Sequence, residues 1–188
     1  REDFNVIFHS FNVVNIASNK VTYIRIDSFT PETVAKLAED AEMFSGFTKK
    51  SSGIVIDLRN SSGGDNMSAL KAAGFFCPPD KLPEVPELKG TKRFFKLPVV
   101  ILTSGKTRNS SEIFVSVMEK AGSAMTIGYP TAGIIFSVKA VETSSGSRLL
   151  VPDIGHEFAG IQPNPIQPSI MENPFPQIDF KKLSSEIG

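Results

Sequence analysis

Gly53-Ile54-Val55-Ile56-Asp57-Leu58-Arg59-Asn60-Ser61-Ser62-Gly63-Gly64 is the most informative stretch of the chain. Its first half is a short, continuous apolar run entered through a glycine. That predicts a strand covered on both faces, as in a mainly parallel sheet. Its second half is a polar turn closed by two glycines, the signature of a strand-to-helix loop. A helix from about Asn66 to Phe76 should follow, stopped by Pro78-Pro79.

The segments on either side repeat this alternation. Upstream, Val21-Thr22-Tyr23-Ile24-Arg25-Ile26-Asp27 has the period of a half-buried strand. Thr30-Pro31 then opens a helix whose buried stripe is Val34, Leu37, Ala38, Ala41 and Phe44. Downstream, Pro79 to Lys96 is a Pro-rich, charged surface excursion, and Leu97-Pro98-Val99-Val100-Ile101-Leu102 is a further buried strand. A third helix presents Ile113, Phe114, Val117, Met118 and Ala121, with Gly122 as its stop, and Ala124 to Gly128 is a strand again. Three strand–helix alternations argue an α/β domain with right-handed crossovers. After Gly133 shorter strands and turns are expected, and from Pro163 to Gly188 a Pro-rich tail lying along the surface. The 188 residues read as one domain, too short for two full-sized ones.

Composition narrows the function classes. Lys+Arg 20 against Asp+Glu 20 supplies no electrostatic reason for a nucleic-acid partner or an anionic membrane. No apolar run approaches the ~20 residues of a membrane-spanning helix, so no membrane insertion is expected. Arg1-Glu2-Asp3 does not read as a signal peptide, and a chain beginning with Arg reads as a fragment of a longer one. The lone Cys77 excludes an internal disulfide. The two histidines and one cysteine show no ligand-spacing motif, so neither a metal nor an organic cofactor is expected.

Ligands of parallel sheets gather beyond the carboxyl ends of the strands. Two loops are unusual at that place: Asp57 to Gly64, and Thr103-Ser104-Gly105-Lys106-Thr107-Arg108-Asn109-Ser110-Ser111-Glu112. Adjacent glycines such as Gly63 and Gly64 can turn backbone N–H groups towards one point, as an oxyanion or a carboxylate requires. They also serve a plain turn. Asn109 is a good helix N-cap, and Glu112 three residues later completes a capping-box pattern. Lys106 sits in a solvated loop that gives no reason for a lowered amine pKa. Arg59 at a strand end could anchor a carboxylate but more readily pairs with Asp57. Cys77, at a helix end before two prolines, reads as packed.

Five segments in order resemble the catalytic core of the tail-specific (C-terminal-processing) and tricorn-type serine peptidases. They are Tyr23 to Ile26 with Ser28-Phe29; Asp57-Leu58-Arg59-Asn60 with Gly63-Gly64; Pro98 to Thr103 with Ser111-Glu112-Ile113; Gly128-Tyr129-Pro130-Thr131-Ala132-Gly133; and Gly160-Ile161-Gln162-Pro163-Asn164. They span about residues 21 to 164. The resemblance implies a crotonase-like fold of stacked β-β-α units and hydrolysis of peptide bonds by acyl transfer on a peptide or protein substrate. It implies a nucleophilic serine two places before Ser111, which is Asn109 here, and Ser110 is the fallback hydroxyl. A carboxamide has no proton that a base could usefully remove.

The lysine base of the tail-specific branch would follow the Gly-x-x-Thr-x-Gly turn directly, at Ile134. The tricorn branch and the retinoid-binding modules of the photoreceptor matrix therefore look more similar. There the resemblance implies Glu157 as the acid orienting a histidine from an N-terminal region of the same protein. His9 precedes the first recognisable core strand, and His156 beside Glu157 points to the opposite face of a strand. Gly63, Gly64 and the Ser110 N–H would form the oxyanion hole, and Ser111 would serve packing. The alternative is a non-catalytic module on the same fold, binding a peptide or an apolar ligand, or an inactivating substitution made to trap substrate. The resemblance tilts the compartment towards the extracytoplasmic side and fixes it no further.

Overall fold

The computed structural model describes residues 5–9, 13–17, 21–44, 53–154, 160–161 and 164–172. Strands β1 (Asn5–His9), β2 (Val13–Ala17) and β3 (Val21–Ile26) form an antiparallel meander. From β3 the chain alternates: α1 (Pro31–Phe44), β4 (Gly53–Asp57), α2 (Asn66–Gly74), β5 (Val99–Thr103), α3 (Ser110–Lys120) and β6 (Ala124–Gly128). An antiparallel hairpin of β7 (Phe136–Glu142) and β8 (Arg148–Ile154) stands apart, and β9 (Ile170–Met171) returns to the main sheet. That sheet has the order β1-β2-β3-β4-β5-β6-β9 and is parallel from β3 to β9. The expected α/β architecture with a mainly parallel sheet is therefore observed.

Burial alternates along the parallel strands: Ile24 and Ile26, Ile54 and Ile56, Val99 and Ile101 face a core built with α1, α2 and α3. Leu37, Leu70, Phe76, Ile113, Phe114 and Met118 complete it, each at most 1% exposed. Truncating a side chain such as Phe114 to alanine here costs about 3–5 kcal/mol through lost transfer energy and the cavity left behind. The continuous apolar run at 53–58 led to an expectation of cover on both faces. Instead Val55 is only half-buried while Ile54 and Ile56 are buried, because the helices supply one covering layer.

Local signals account for the element ends. The Asp65 carboxylate accepts the Ser68 N–H at 2.7 Å and starts α2, and Thr30 Oγ1 accepts the Thr33 N–H at 3.2 Å at the start of α1. The 79–96 excursion is less superficial than its composition implies. It makes two short 3-10 turns, buries Leu88 and Phe95, and stacks the Phe95 ring on Phe76 at 4.6 Å. The tail is not wholly surface-hugging either, since Ile170 and Met171 pair with Ile127 and Gly128 at the sheet edge. Two residues and the meander at the start of the chain carry too little pattern to announce themselves as strands. No helix among the described residues is long and apolar enough to cross a membrane.

Candidate active site

β4 and β5 are parallel neighbours, so the loops leaving their carboxyl ends emerge side by side. Side chains then join the two loops. Ser104 Oγ donates to the Arg59 carbonyl at 2.5 Å, Thr107 Oγ1 to the Leu58 carbonyl at 2.8 Å, and Ser111 Oγ to Ser61 Oγ at 2.7 Å. The Arg108 N–H reaches the Ser61 carbonyl at 3.4 Å. Ser61, Ser104, Thr107 and Ser111 are all buried, so these bonds satisfy donors and acceptors that are withdrawn from water.

The glycine pair is dictated by how closely these loops approach their neighbours. A Cβ on Gly63 (φ 102°) would lie 2.6 Å from Asn109 Cβ, and one on Gly64 (φ 130°) would lie 2.1 Å from the Phe29 carbonyl oxygen. Phe29 holds the turn from below: its N–H donates to the Gly63 carbonyl at 2.7 Å, and its carbonyl accepts the Asp65 N–H at 2.7 Å. The Gly63 carbonyl is thus engaged on the Phe29 side. Among the described residues the N–H groups of Gly63 and Gly64 donate to no backbone carbonyl.

Opposite Gly63 stands Asn109, the N-cap of α3, at φ 56° and ψ −129°. It is the one non-glycine residue with positive φ among the described residues. Such backbone is strained for an L-residue and persists only where its surroundings over-determine it. Here the surroundings are a buried carboxylate. Glu112, 0% exposed, accepts the Asn109 N–H at 3.1 Å, Thr131 Oγ1 at 2.5 Å, the Gly133 N–H at 2.6 Å and the Ile134 N–H at 2.8 Å. The Asn109 N–H also donates to the Ile134 carbonyl at 2.6 Å. Thr131 in turn accepts the Ile166 N–H at 2.8 Å, tying in the segment after Gly160-Ile161. Burial raises the Glu112 carboxyl pKa, against the four donors that favour its charge.

The structure thus brings Gly63, Asn109 and Ile134 together and places Glu112 and Thr131 beneath them. Glu112 was expected as a partner of Asn109 alone. Its junction with the Gly-x-x-Thr-x-Gly turn was not foreseen, although a Glu placed directly before the apolar run Ile113-Phe114-Val115 was the available signal. The Ile134 side chain is 43% exposed. Ser110 lies at the start of α3 with its side chain 0% exposed, and its Oγ meets no hydrogen-bond partner. Lys106 is exposed on the loop. His9 lies in β1 at the far edge of the sheet. Glu157 and His156 lie outside the described residues. Cys77 is buried with Sγ 3.5 Å from Met118 Sδ, and burial pushes its thiol pKa up.

Arg59 is drawn to Asp57, as its position at the strand end suggested. Its Nε and Nη2 donate to the two Asp57 oxygens at 2.9 and 2.6 Å, and Tyr23 Oη donates to Asp57 at 2.5 Å. Burial alone would raise the Asp57 carboxyl, but the bonds from Arg59 and Tyr23 outweigh it and hold the pKa below its ordinary value. Burial and the neighbouring Asp57 push the Tyr23 phenol up to about 12. No group of three or more His, Cys, Asp or Glu side chains poised to hold a metal occurs among the described residues.

Comparison with known proteins identifies relatives of this chain. The carboxyl-terminal-processing peptidase 2 of Arabidopsis thaliana chloroplasts is 24% identical over 144 residues, covering 71% of this chain and 28% of that protein. The chain therefore spans under a third of that relative's length. The solved photosystem II D1 C-terminal processing protease superposes with a TM-score of 0.60 at 19% identity, covering 82% of this chain and 42% of its own. The tricorn protease does so with a TM-score of 0.55 at 17% identity, covering 89% of this chain and 18% of its own. At those identities the structural likeness shows the fold. Residues 20–157 match the description "Peptidase family S41", and by that match over most of its length the chain belongs to peptidase family S41.

Proposed function

We propose that this domain keeps the peptide-binding frame of an S41 peptidase and lacks the means to cleave. The observation that carries the reading is the contact of Asn109 with Gly63 and Ile134. The nucleophile, oxyanion and lysine-base positions implied by the family pattern are adjacent, yet two of them hold a carboxamide and an aliphatic side chain. A substrate carbonyl or a product carboxylate would accept the N–H groups of Gly63, Gly64 and Ser110. Tyr129 and Ile134, 44% and 43% exposed beside the turn, offer apolar surface to the side chains of an extended peptide. The partner in this reading is a peptide or protein, the whole chain acts as one domain, and neither metal nor organic cofactor takes part.

The rival reading is a working peptidase of the tricorn branch, with a base histidine from an N-terminal region oriented by Glu157. It needs a nucleophilic hydroxyl, and the available one is Ser110. The burial of its side chain argues against that role. Kinship with the retinoid-binding modules remains a finer version of the binding reading, in which the ligand is apolar rather than peptidic.

Fluorophosphonate labelling separates these. The unaltered chain should not react, and Asn109→Ser combined with Ile134→Lys should create labelling. Labelling of the unaltered chain that is lost on Ser110→Ala would overturn the proposal.

A further inference from the structure

The chain contains Asn-Ser-Ser twice, at 60–62 and at 109–111, each time beyond the carboxyl end of a parallel strand, the second running into α3. Local sequence is identical, so any difference in reactivity comes from the fold. Asn60 is exposed and has no positive φ, whereas Asn109 is 7% exposed at φ 56° and ψ −129°.

We propose that Asn109 is a site of spontaneous backbone cyclisation, closing to a succinimide with Ser110 and opening to aspartate or isoaspartate. Around the Cα–C bond of an L-residue, Cβ is offset from the backbone nitrogen by about 120° in tetrahedral geometry. At ψ −129° the Asn109 Cβ therefore nearly eclipses the Ser110 nitrogen. That alignment is the one a planar five-membered ring demands. An asparagine in helical or extended backbone, with ψ near −42° or +135°, has its Cβ far from it. The strain described above thus removes the conformational cost of ring closure in advance.

The attacking nitrogen is favourably placed as well. Ser110 is the first residue of α3, and the leading N–H groups of a helix have no carbonyl of their own helix to bind. The positive end of the helix dipole favours loss of that proton and steadies the charge that develops on the side-chain oxygen. In the step, the Ser110 nitrogen bonds to Asn109 Cγ, the Cγ–N bond of the carboxamide breaks, and the departing nitrogen leaves as ammonia with the Ser110 proton. Water then opens the ring at Cγ, returning an aspartate, or at the main-chain carbonyl carbon, giving isoaspartate. Closure needs no oxidant or metal.

The two Asn-Ser-Ser sites supply their own control. Trypsin cuts after Arg59 and Arg108, so each asparagine begins its own peptide, ending at Lys71 and at Lys120. The intact protein is incubated at mildly alkaline pH, folded or in urea, and the two peptides are fragmented in the mass spectrometer, so that loss of ammonia and amide-to-acid conversion at the first residue of each are read apart from Asn66. In the folded protein Asn109 should convert about tenfold or more faster than Asn60, the factor that relief of one strained backbone position supplies. In urea the two should convert at similar rates. Conversion of Asn109 no faster than Asn60 in the folded protein, or faster in urea than when folded, overturns the proposal.

Discussion

The loops after β4 and β5 share a tripeptide and are bonded to one another, but they solve opposite problems. The first, 57–64, ends in glycines whose N–H groups donate to no backbone carbonyl among the described residues, and its carboxylate, Asp57, is paired with Arg59 and hydrogen-bonded by Tyr23. The second, 103–112, contains an asparagine in strained backbone, and its carboxylate, Glu112, is buried among neutral donors alone. One loop is flexible in composition and held by charge. The other is rigid and held by a buried acid. A site in which one wall presents donors and the opposite wall fixes a reacting atom needs both kinds.

The largest effect should follow from removing the buried acid. Glu112→Ala leaves the Thr131, Gly133 and Ile134 donors without their acceptor, and a loss of roughly 3–5 kcal/mol is expected from urea unfolding. A loss below about 1 kcal/mol would mean the second loop is held by something other than this carboxylate. Gly63→Ala comes next, because the added Cβ meets Asn109 Cβ at 2.6 Å on backbone unsuited to alanine. About 2 kcal/mol is expected, with the first loop pushed off the second. A neutral outcome would show that the two walls do not touch as described.

The two carboxylates should also respond oppositely to pH. Asp57 has a folded pKa below its unfolded value, so its contribution is present above the unfolded value near 3.9 and is lost as pH falls through the folded pKa. Glu112 has a raised folded pKa, so its contribution is full below the unfolded value near 4.3 and declines as pH rises through the folded one. Urea midpoints measured across acid pH should show Asp57→Asn flattening the acid-side loss, and Glu112→Gln removing the decline on the other side. Like-signed effects of the two substitutions would break the comparison. The smallest effect belongs to Ser111→Ala, which frees Ser61 from a buried bond and should cost about 1 kcal/mol.

What could be read in the sequence follows from how local its causes are. Strand and helix periods depend on neighbouring residues, so β3 to β6 and α1 to α3 were legible to within a few residues. Asp57 with Arg59, two apart, and Asn109 as the cap of α3 were legible for the same reason. The double cover expected for Gly53 to Leu58 failed because an apolar run does not reveal how many layers a chain supplies. The Glu112–Thr131 and Ser61–Ser111 bonds join residues 19 and 50 positions apart, and no local pattern encodes such pairs. Ser110 as a fallback hydroxyl rested on adjacency to Asn109, and helix geometry turned it into the interior.

The central claim is that the frame of an S41 site is assembled here around a residue that cannot attack. Fluorophosphonate labelling of the unaltered chain beside Asn109→Ser with Ile134→Lys tests it most directly. No labelling of the first and clear labelling of the second is the expected result. Labelling of the unaltered chain would contradict it.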